Sequence, residues 1–403
     1  MKIVFITNGL FPVPATKGGG AETLVQNILD QNEIYHKAEF IVYSVYDEKA
    51  IELASHYKYS EYRFICKKIW NIKDTCYLAK HFYYKKILGY TIYRCIYDFD
   101  IVLDELQHEQ FDYIVIENTL VPFEKFIERY GNKVFVHIHN ELFKQTYPLR
   151  QRIHYGDLIN RSAGVITVSN YIKEFSLDMG YATPDKFHVL LNSVDIQKYK
   201  QEIDIRKDLS DKKYIEIANT FTFVYCGRVC REKGVLELVN AFKRIDNLDI
   251  RLMIIGNVDE KSDDTYIKNV KKIVDTDFRI VTTGYVDHDE IWKFLRISDC
   301  AVLPSKCQDA CPLTVIESMA AKLPIISTKT GGVPEEVDQN CSILLDNNEN
   351  LEENLYKTMD KIIKEKSMLS SMAEASDLRT PIGGFFDLNS YYERFIKIIE
   401  GKE

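Results

Sequence analysis

Thirteen short runs of β-branched and aromatic residues recur along this 403-residue chain, and helical patterns separate them almost from end to end. In the first half the runs are KIVFIT, FIVYSVY, YRFIC, YIVIE, KVFVHIH, GVITVS and FHVLL; in the second they are FTFVYCG, IRLMIIG, FRIVTTG, CAVLP, LPIIS and SILL. Strands that are apolar along nearly their whole length have no face to give to water, so they belong in parallel sheets covered by helices on both sides. Applied to each half, that constraint predicts two doubly wound, Rossmann-like α/β domains, which suits a chain too long for a single core. The stretch from Lys198 to Ala218 is rich in charge and lacks a core pattern, which places the boundary there and gives domains of residues 1–200 and 201–385. The tail DLNSYYERFIKIIEGKE has the spacing of one last amphipathic helix.

Charge and cysteine usage exclude several classes. A net charge of −8 argues against nucleic acid as a partner. No run approaches the roughly 18 apolar residues of a membrane span, and the opening MKIVFITNGL reads as a first buried strand rather than a cleaved signal. The expected location is cytoplasmic. Nine scattered cysteines suit reduced thiols better than a disulfide framework; Cys226/Cys230 and Cys307/Cys311 have zinc-compatible spacing, but free cysteine is most often a small buried hydrophobe.

In parallel sheets ligands gather outside the carboxyl ends of the strands, where loops lead into helix N-termini. After FTFVYCG comes RVCREKGVLELVNAF, with Gly227 at the strand end, Arg228 and Lys233 in the loop, and Gly234 where a helix begins. Two cations at a helix N-terminus make a site into which a diphosphate fits, although the same residues also describe two solvated surface charges. A second stretch, CQDACPLTVIESMAAKLPIISTKTGG, sets Asp309 before a helix opened by Pro312 and Glu317 one turn inside it. Proline suits a helix start and leaves the amides of Leu313 and Thr314 free for an anion, and helical side chains tilt toward the N-terminus, so Glu317 leans back to the same place. A carboxylate accepts two hydroxyl hydrogen bonds at once, which fits a pair of polyols such as a ribose and a hexose.

These segments carry a family resemblance. DACPLTVIESMAAKLPIISTKTGGVPEEV resembles the E-x7-E segment of the retaining glycosyltransferases of family 4; VYCGRVCREKGV resembles that family's G-R-x-x-x-x-K-G loop, and LLNSVDIQKY its P-N-G-V-D strand end. VFITNGLFPVPATKGGGAE, VHIHNE and GYVDHDEIWKFLRISDCAVLPS extend the resemblance over nearly the whole chain in order. It implies a GT-B fold, two Rossmann-like domains with parallel sheets facing across a cleft, and a closing helix over 386–403 that packs back on the first domain. It further implies that Arg228 and Lys233 hold the donor diphosphate, with Gly227 in that loop. Glu317 would bind the nucleotide ribose and Asp309 the transferred sugar. Tyr285 and Val286 would frame the base, and His139 would face the sugar. Asn192 lies in the matching strand end, and Gly18, Gly19 and Gly20 would border the acceptor or the phosphates. Asp309 stands where the family most often has glutamate, Ser193 replaces a glycine, and Pro312 replaces another.

His137 alternates with Val134, Val136 and Ile138 as a strand residue and is given no role. Three D-x-D triplets, at Asp98/Asp100, Asp275/Asp277 and Asp287/Asp289, are read as chance, and no metal or cofactor is expected because cationic side chains supply the charge. From Arg63 to Arg94 eight basic residues stand against one acidic residue, with Trp70, Phe82, Tyr83 and Tyr84 interleaved. Such segments attach to anionic lipid surfaces, though a solvated helical face has the same composition. The expectation is an enzyme moving a sugar from a nucleotide diphosphate donor, with a UDP-sugar favoured, to a glycan or lipid-linked acceptor. It would be peripheral on the inner face of the membrane and serve bacterial surface polysaccharide or glycolipid assembly. A catalytically silent GT-B protein that binds a partner or glycan, and a sugar-nucleotide epimerase, are the alternatives.

Overall fold

The computed structural model describes residues 1–66, 99–142, 147–178, 180, 183–202, 212–258 and 264–402. The basic stretch assigned to a membrane surface lies outside the described residues from 67 onward. Arg63 is described, and it is committed to protein partners, with Nη2 2.5 Å from Glu109 Oε1 and Nε 2.7 Å from Glu61 Oε1. Among the described residues no helix is long and apolar enough to cross a membrane.

The chain divides into two compact units, Met1–Asn192 with Tyr391–Glu403, and Ser193–Ser390. In the first, β1 (Lys2–Ile6), β2 (Glu39–Val45), β3 (Ser60–Ile65), β4 (Tyr113–Glu117), β5 (Val134–Ile138), β6 (Gly164–Thr167) and β7 (Phe187–Val189) form one sheet in the order β3-β2-β1-β4-β5-β6-β7. In the second, β8 (Phe221–Cys226), β9 (Ile250–Ile255), β10 (Ile280–Gly284), β11 (Cys300–Leu303), β12 (Ile325–Thr328) and β13 (Ser342–Leu345) run β10-β9-β8-β11-β12-β13. Every pairing within both sheets is parallel.

All thirteen apolar runs are strands, and burial is complete at the centre of each sheet and partial on its edges. Ile3, Val4, Phe5 and Ile6 have no exposed surface, nor have Ile114, Val115 and Ile116 beside them, so both faces of these strands are covered. Burial of such side chains, at about 25 cal/mol per Å² of apolar surface, drives the assembly of each sheet with its helices.

The units divide at Asn192/Ser193, earlier than the boundary expected at residue 200. The cause is local: the Val194 amide donates to Phe386 O at 3.0 Å, Val194 bridges Asp387, and Ile196 and Tyr199 are buried with the second unit. The same contact keeps Phe386 and Asp387 out of the first unit, whose closing segment starts at Tyr391 rather than at 386. From there the tail is tied to the first sheet. Tyr392 donates from its hydroxyl to Asn32 Oδ1 at 2.6 Å, and the Phe395 ring stacks on Phe5 with centroids 5.6 Å apart. Replacing the fully buried Phe395 by alanine should therefore lower stability by about 3–5 kcal/mol in denaturant unfolding. A loss near zero would show that the tail does not hold the first unit together.

Candidate active site

In the second unit the strand order reverses between β8 and β11, which pair in parallel through Phe223–Cys300 and Val224–Ala301. Loops leaving neighbouring strands at such a reversal diverge and open a crevice at the carboxyl end of the sheet. The loop after β8 carries Gly227, Arg228 and Lys233; the loop after β11 carries Asp309 and feeds the Leu313–Ala320 helix. Backbone bonds stitch the two loops, the amides of Lys306 and Cys307 donating to Glu232 O at 2.7 and 3.1 Å. Gly234 has φ +67°, and a Cβ placed on it would lie 2.1 Å from Pro304 O, so the Val235–Lys243 helix can begin this close to the β11 loop only on a glycine.

The family resemblance implies separate ligands for Lys233 and Asp309; the structure joins the two side chains. Lys233 Nζ donates to both carboxylate oxygens of Asp309, at 2.6 and 2.7 Å, and each side chain keeps about one-fifth of its surface exposed. The double glycine that follows β12 holds the other side of Asp309. Gly332 N donates to Asp309 O at 2.7 Å, and Gly331 has φ +53° with its virtual Cβ 1.9 Å from that same oxygen. No side chain fits there. Arg228 is exposed, its carbonyl accepts from the Tyr225 hydroxyl at 2.7 Å, and its guanidinium has no partner among the described residues. Pro312 sits at the cap, one place before the first helical residue, and the amides of Leu313 and Thr314 have no acceptor among the described residues.

Glu317, on the second turn of that helix, has only 2% of its side chain exposed. His288 Nε2 lies 2.7 Å from Glu317 Oε1, and the buried Tyr199 phenol feels the charge of the same carboxylate. The Glu317 bond raises the pKa of His288 above the ordinary imidazole value and outweighs the opposing effect of burial. Burial, with the Glu317 charge behind it, pushes the Cys226 thiol and the Tyr199 phenol well up. Tyr285 is 78% exposed and Val286 half-buried in the loop just before His288. His288 escaped the sequence reading although it lies between two aspartates that were weighed as a D-x-D triplet. Asp289 is paired with Lys198 at 2.7 Å, and Asp277, in another triplet, with Arg279 at 2.7 Å.

The remaining assigned residues belong to the first unit. His139 follows β5, and its Nε2 is 2.9 Å from Glu117 Oε2 at the end of β4. His137 Nδ1 lies 3.3 Å from Glu117 Oε1, and the two imidazoles pack with centroids 4.1 Å apart, so His137 acquires a place that strand alternation denied it. Burial alone would raise Glu117; the charge of His137 and the bonds from both imidazoles overcome it and hold the carboxyl at about 2. Burial, with repulsion from His137, drives His139 down to about 4. His139 is thus neutral near pH 7 and donates from Nε2 to an ionised carboxylate, which leaves Nδ1 as an acceptor.

This trio has the composition of a two-histidine, one-carboxylate metal centre, with ligand atoms within 4.8 Å of one another. Metal-bound imidazoles are normally oriented by a partner on the outer nitrogen. His137 Nε2 and His139 Nδ1 lack one among the described residues, and hydrogen bonding already accounts for the spacing. Gly19 has φ +105° and its virtual Cβ would lie 2.2 Å from Glu22 Oε2; Gly18, with φ +72°, and Gly20 flank it at the start of the Gly20–Tyr35 helix. Asn192 is buried at the last residue of the unit's main segment.

Cys307 and Cys311 turn to different partners. Cys307 Sγ is 3.6 Å from Asp309 Oδ1, and Cys311 donates to Glu336 Oε1 at 3.1 Å. Glu336 is completely buried, and burial holds its carboxyl well above the usual range.

Residues 207–379, most of the second unit, match the family described as glycosyl transferases group 1. The chain is 26% identical over 246 residues to the lipopolysaccharide 1,2-N-acetylglucosaminetransferase of Salmonella typhimurium, covering 59% of each chain. It is 30% identical over 172 residues to a UDP-Gal:alpha-D-GlcNAc-diphosphoundecaprenol alpha-1,3-galactosyltransferase of Escherichia coli, covering 42% of this chain and 43% of that protein. The matched regions therefore span about half the length of these two relatives. Among solved structures, Anabaena HepE in complex with UDP and glucose superposes over the whole of both chains with a TM-score of 0.74 at 18% identity. With the two parallel sheets, that likeness establishes the GT-B fold.

The buried Glu336 yields a stability prediction. Burial raises its folded pKa well above the ordinary carboxylate value, so as pH rises above that ordinary value the unfolded state ionises first and the contribution of Glu336 to stability falls. The stability gap between Glu336→Gln and the wild type should widen in favour of the variant as pH rises from about 5 to about 8. Any fixed offset from the amide is independent of pH. Parallel stability curves over that range would show that Glu336 is ionised in the folded protein.

Proposed function

We propose that this GT-B chain, with its group 1 glycosyl transferase segment, moves a hexosyl group from a nucleotide diphosphate donor, a UDP-sugar, to an acceptor hydroxyl with retention of anomeric configuration. The observation that carries the reading is the Lys233–Asp309 pair at the β8/β11 reversal, on the same two loops as an exposed arginine and two helix amides that have no partner among the described residues. Lys233, Arg228 and the amides of Leu313 and Thr314 take up charge developing on the leaving diphosphate, which stabilises the transition state electrostatically and asks for no metal. When the diphosphate takes Lys233, the Asp309 carboxylate turns to hydroxyls of the transferred sugar. Glu317 takes the ribose, Tyr285 and Val286 frame the base, and Gly227 lets the backbone approach the phosphates. His139 accepts a sugar hydroxyl through Nδ1, and the Gly18–Gly20 loop borders the acceptor or the phosphates.

Support for uridine is that HepE was crystallised with UDP and that the Escherichia coli relative is named for UDP-Gal. The same relative's name, with its diphosphoundecaprenol acceptor, and the lipopolysaccharide transferase support a glycan or lipid-linked acceptor in bacterial surface assembly. Retention rests on the sequence resemblance, and work at the inner face of the membrane rests on the basic, aromatic composition of residues 63–94.

Lys233→Ala should lower turnover by roughly 10²-fold, the usual loss for one such donor. Near-normal turnover in a variant that still unfolds cooperatively would remove Lys233 from the chemistry. In a thermal-shift panel of UDP, GDP, ADP and dTDP, UDP should raise the melting temperature most, since a ligand at 100 times its Kd adds about 2.7 kcal/mol. A larger shift with another diphosphate would reassign the base.

A further inference from the structure

We infer that His288 is a latch over the donor site: it covers Glu317 in the nucleotide-free protein, and the nucleotide must displace it to reach that carboxylate. The inference rests on the reading of Glu317 as the ribose ligand and adds a residue that reading does not contain.

Access makes the case. The Glu317 side chain is 2% exposed, whereas the imidazole bonded to it is 55% exposed, so His288 stands between the carboxylate and water. Tyr199, 5% exposed, is near enough for the Glu317 charge to act on its phenol. A ribose hydroxyl bonding to Glu317 must come from the side His288 occupies. The segment that carries it, His288–Glu290, is a single exposed turn after β10, which ends on Gly284 at φ +73°.

The charged and titratable groups around the imidazole are few. Glu317 favours its protonated form, Asp289 does so more weakly, and Lys198, paired with Asp289 at 2.7 Å, opposes it. Behind Glu317, Tyr199 and Cys226 are both held unionised by burial. Once displaced, the imidazole loses its carboxylate and returns to about 6.5, the ordinary histidine value. Donor binding then releases a proton between that value and the raised value of the latched state. Affinity consequently strengthens as pH rises through this window and is level below it, where both states keep the proton.

The test is isothermal titration of the whole protein with UDP-glucose, whose esterified phosphates do not titrate near neutrality. Wild type, His288→Gln and Glu317→Gln are compared at about pH 6, 7 and 8 in two buffers of different ionisation enthalpy. Wild type should release protons near neutrality and bind more weakly at the low end, by at most about tenfold per unit of difference between the two pKa values. His288→Gln, which can keep a hydrogen bond to Glu317 but cannot titrate, should show a flat profile without proton release. Glu317→Gln should weaken binding about tenfold or more. If Glu317→Gln weakens binding while wild type and His288→Gln give the same proton count and pH profile, the latch is overturned and the ribose reading stands. If Glu317→Gln binds as wild type does, or wild type does not bind UDP-glucose, the ribose reading fails and the latch with it.

Discussion

The close seating of two loops on neighbouring parallel strands is the constraint from which the second unit's chemistry follows. β8 and β11 are far apart in sequence, and their adjacency at the sheet reversal brings the Lys233 and Asp309 loops together. Glycine makes the approach possible. Gly234 lies against Pro304 O, Gly331 against Asp309 O, and Gly256 against Gly227 O, each with a virtual Cβ closer than 2.5 Å to a backbone oxygen. A side chain at any of the three would push apart the loops that carry Lys233, Asp309 and Arg228. Scaffold and site thus share residues, so a defect in packing there is also a defect in charge placement.

The carboxylates of this site are not held in reserve for a ligand. Asp309 is neutralised by Lys233, and Glu317 is engaged by His288. Two unit charges about 4 Å apart attract by about 4 kcal/mol at an effective dielectric of 20, and a ligand that separates such a pair must replace that attraction. Under the proposed function, a diphosphate would satisfy Lys233 and release Asp309, whereas a polyol alone offers Lys233 only neutral acceptors. On that reading a sugar's access to Asp309 is conditional on an anion at Lys233.

Much of this was legible in the sequence. Every strand was, because the parallel fold requires short apolar runs and each of the thirteen is one. Lys233, Asp309 and Glu317 stood out because each lies at a strand end or helix start marked by glycine or proline. What could not be read was pairing. Spacing places Lys233 and Asp309 in separate loops and does not say that the loops touch. Glu117 was passed over as the last letter of a strand and His137 as an inward strand residue, although a charged group ending a fully buried strand calls for a partner. The domain boundary was set by composition, and composition is blind to the Val194–Phe386 backbone bond that draws residues 193–199 into the second unit. His288 carried no helical or strand signal at all.

The two histidine–carboxylate contacts show how burial decides what one pair of groups can do. In both, an imidazole Nε2 meets a glutamate oxygen at hydrogen-bond distance, 2.9 Å for His139 and 2.7 Å for His288. The shifts run in opposite directions. His139 is 7% exposed and faces a second imidazole, so desolvation and repulsion exceed the pull of Glu117 and the ring stays neutral. His288 is 55% exposed, loses less hydration, and meets a carboxylate with no other imidazole on it, so the bond dominates and its pKa rises. The opposite directions follow from exposure and neighbours rather than residue type, which is why two identical letters in the sequence carried no hint of them.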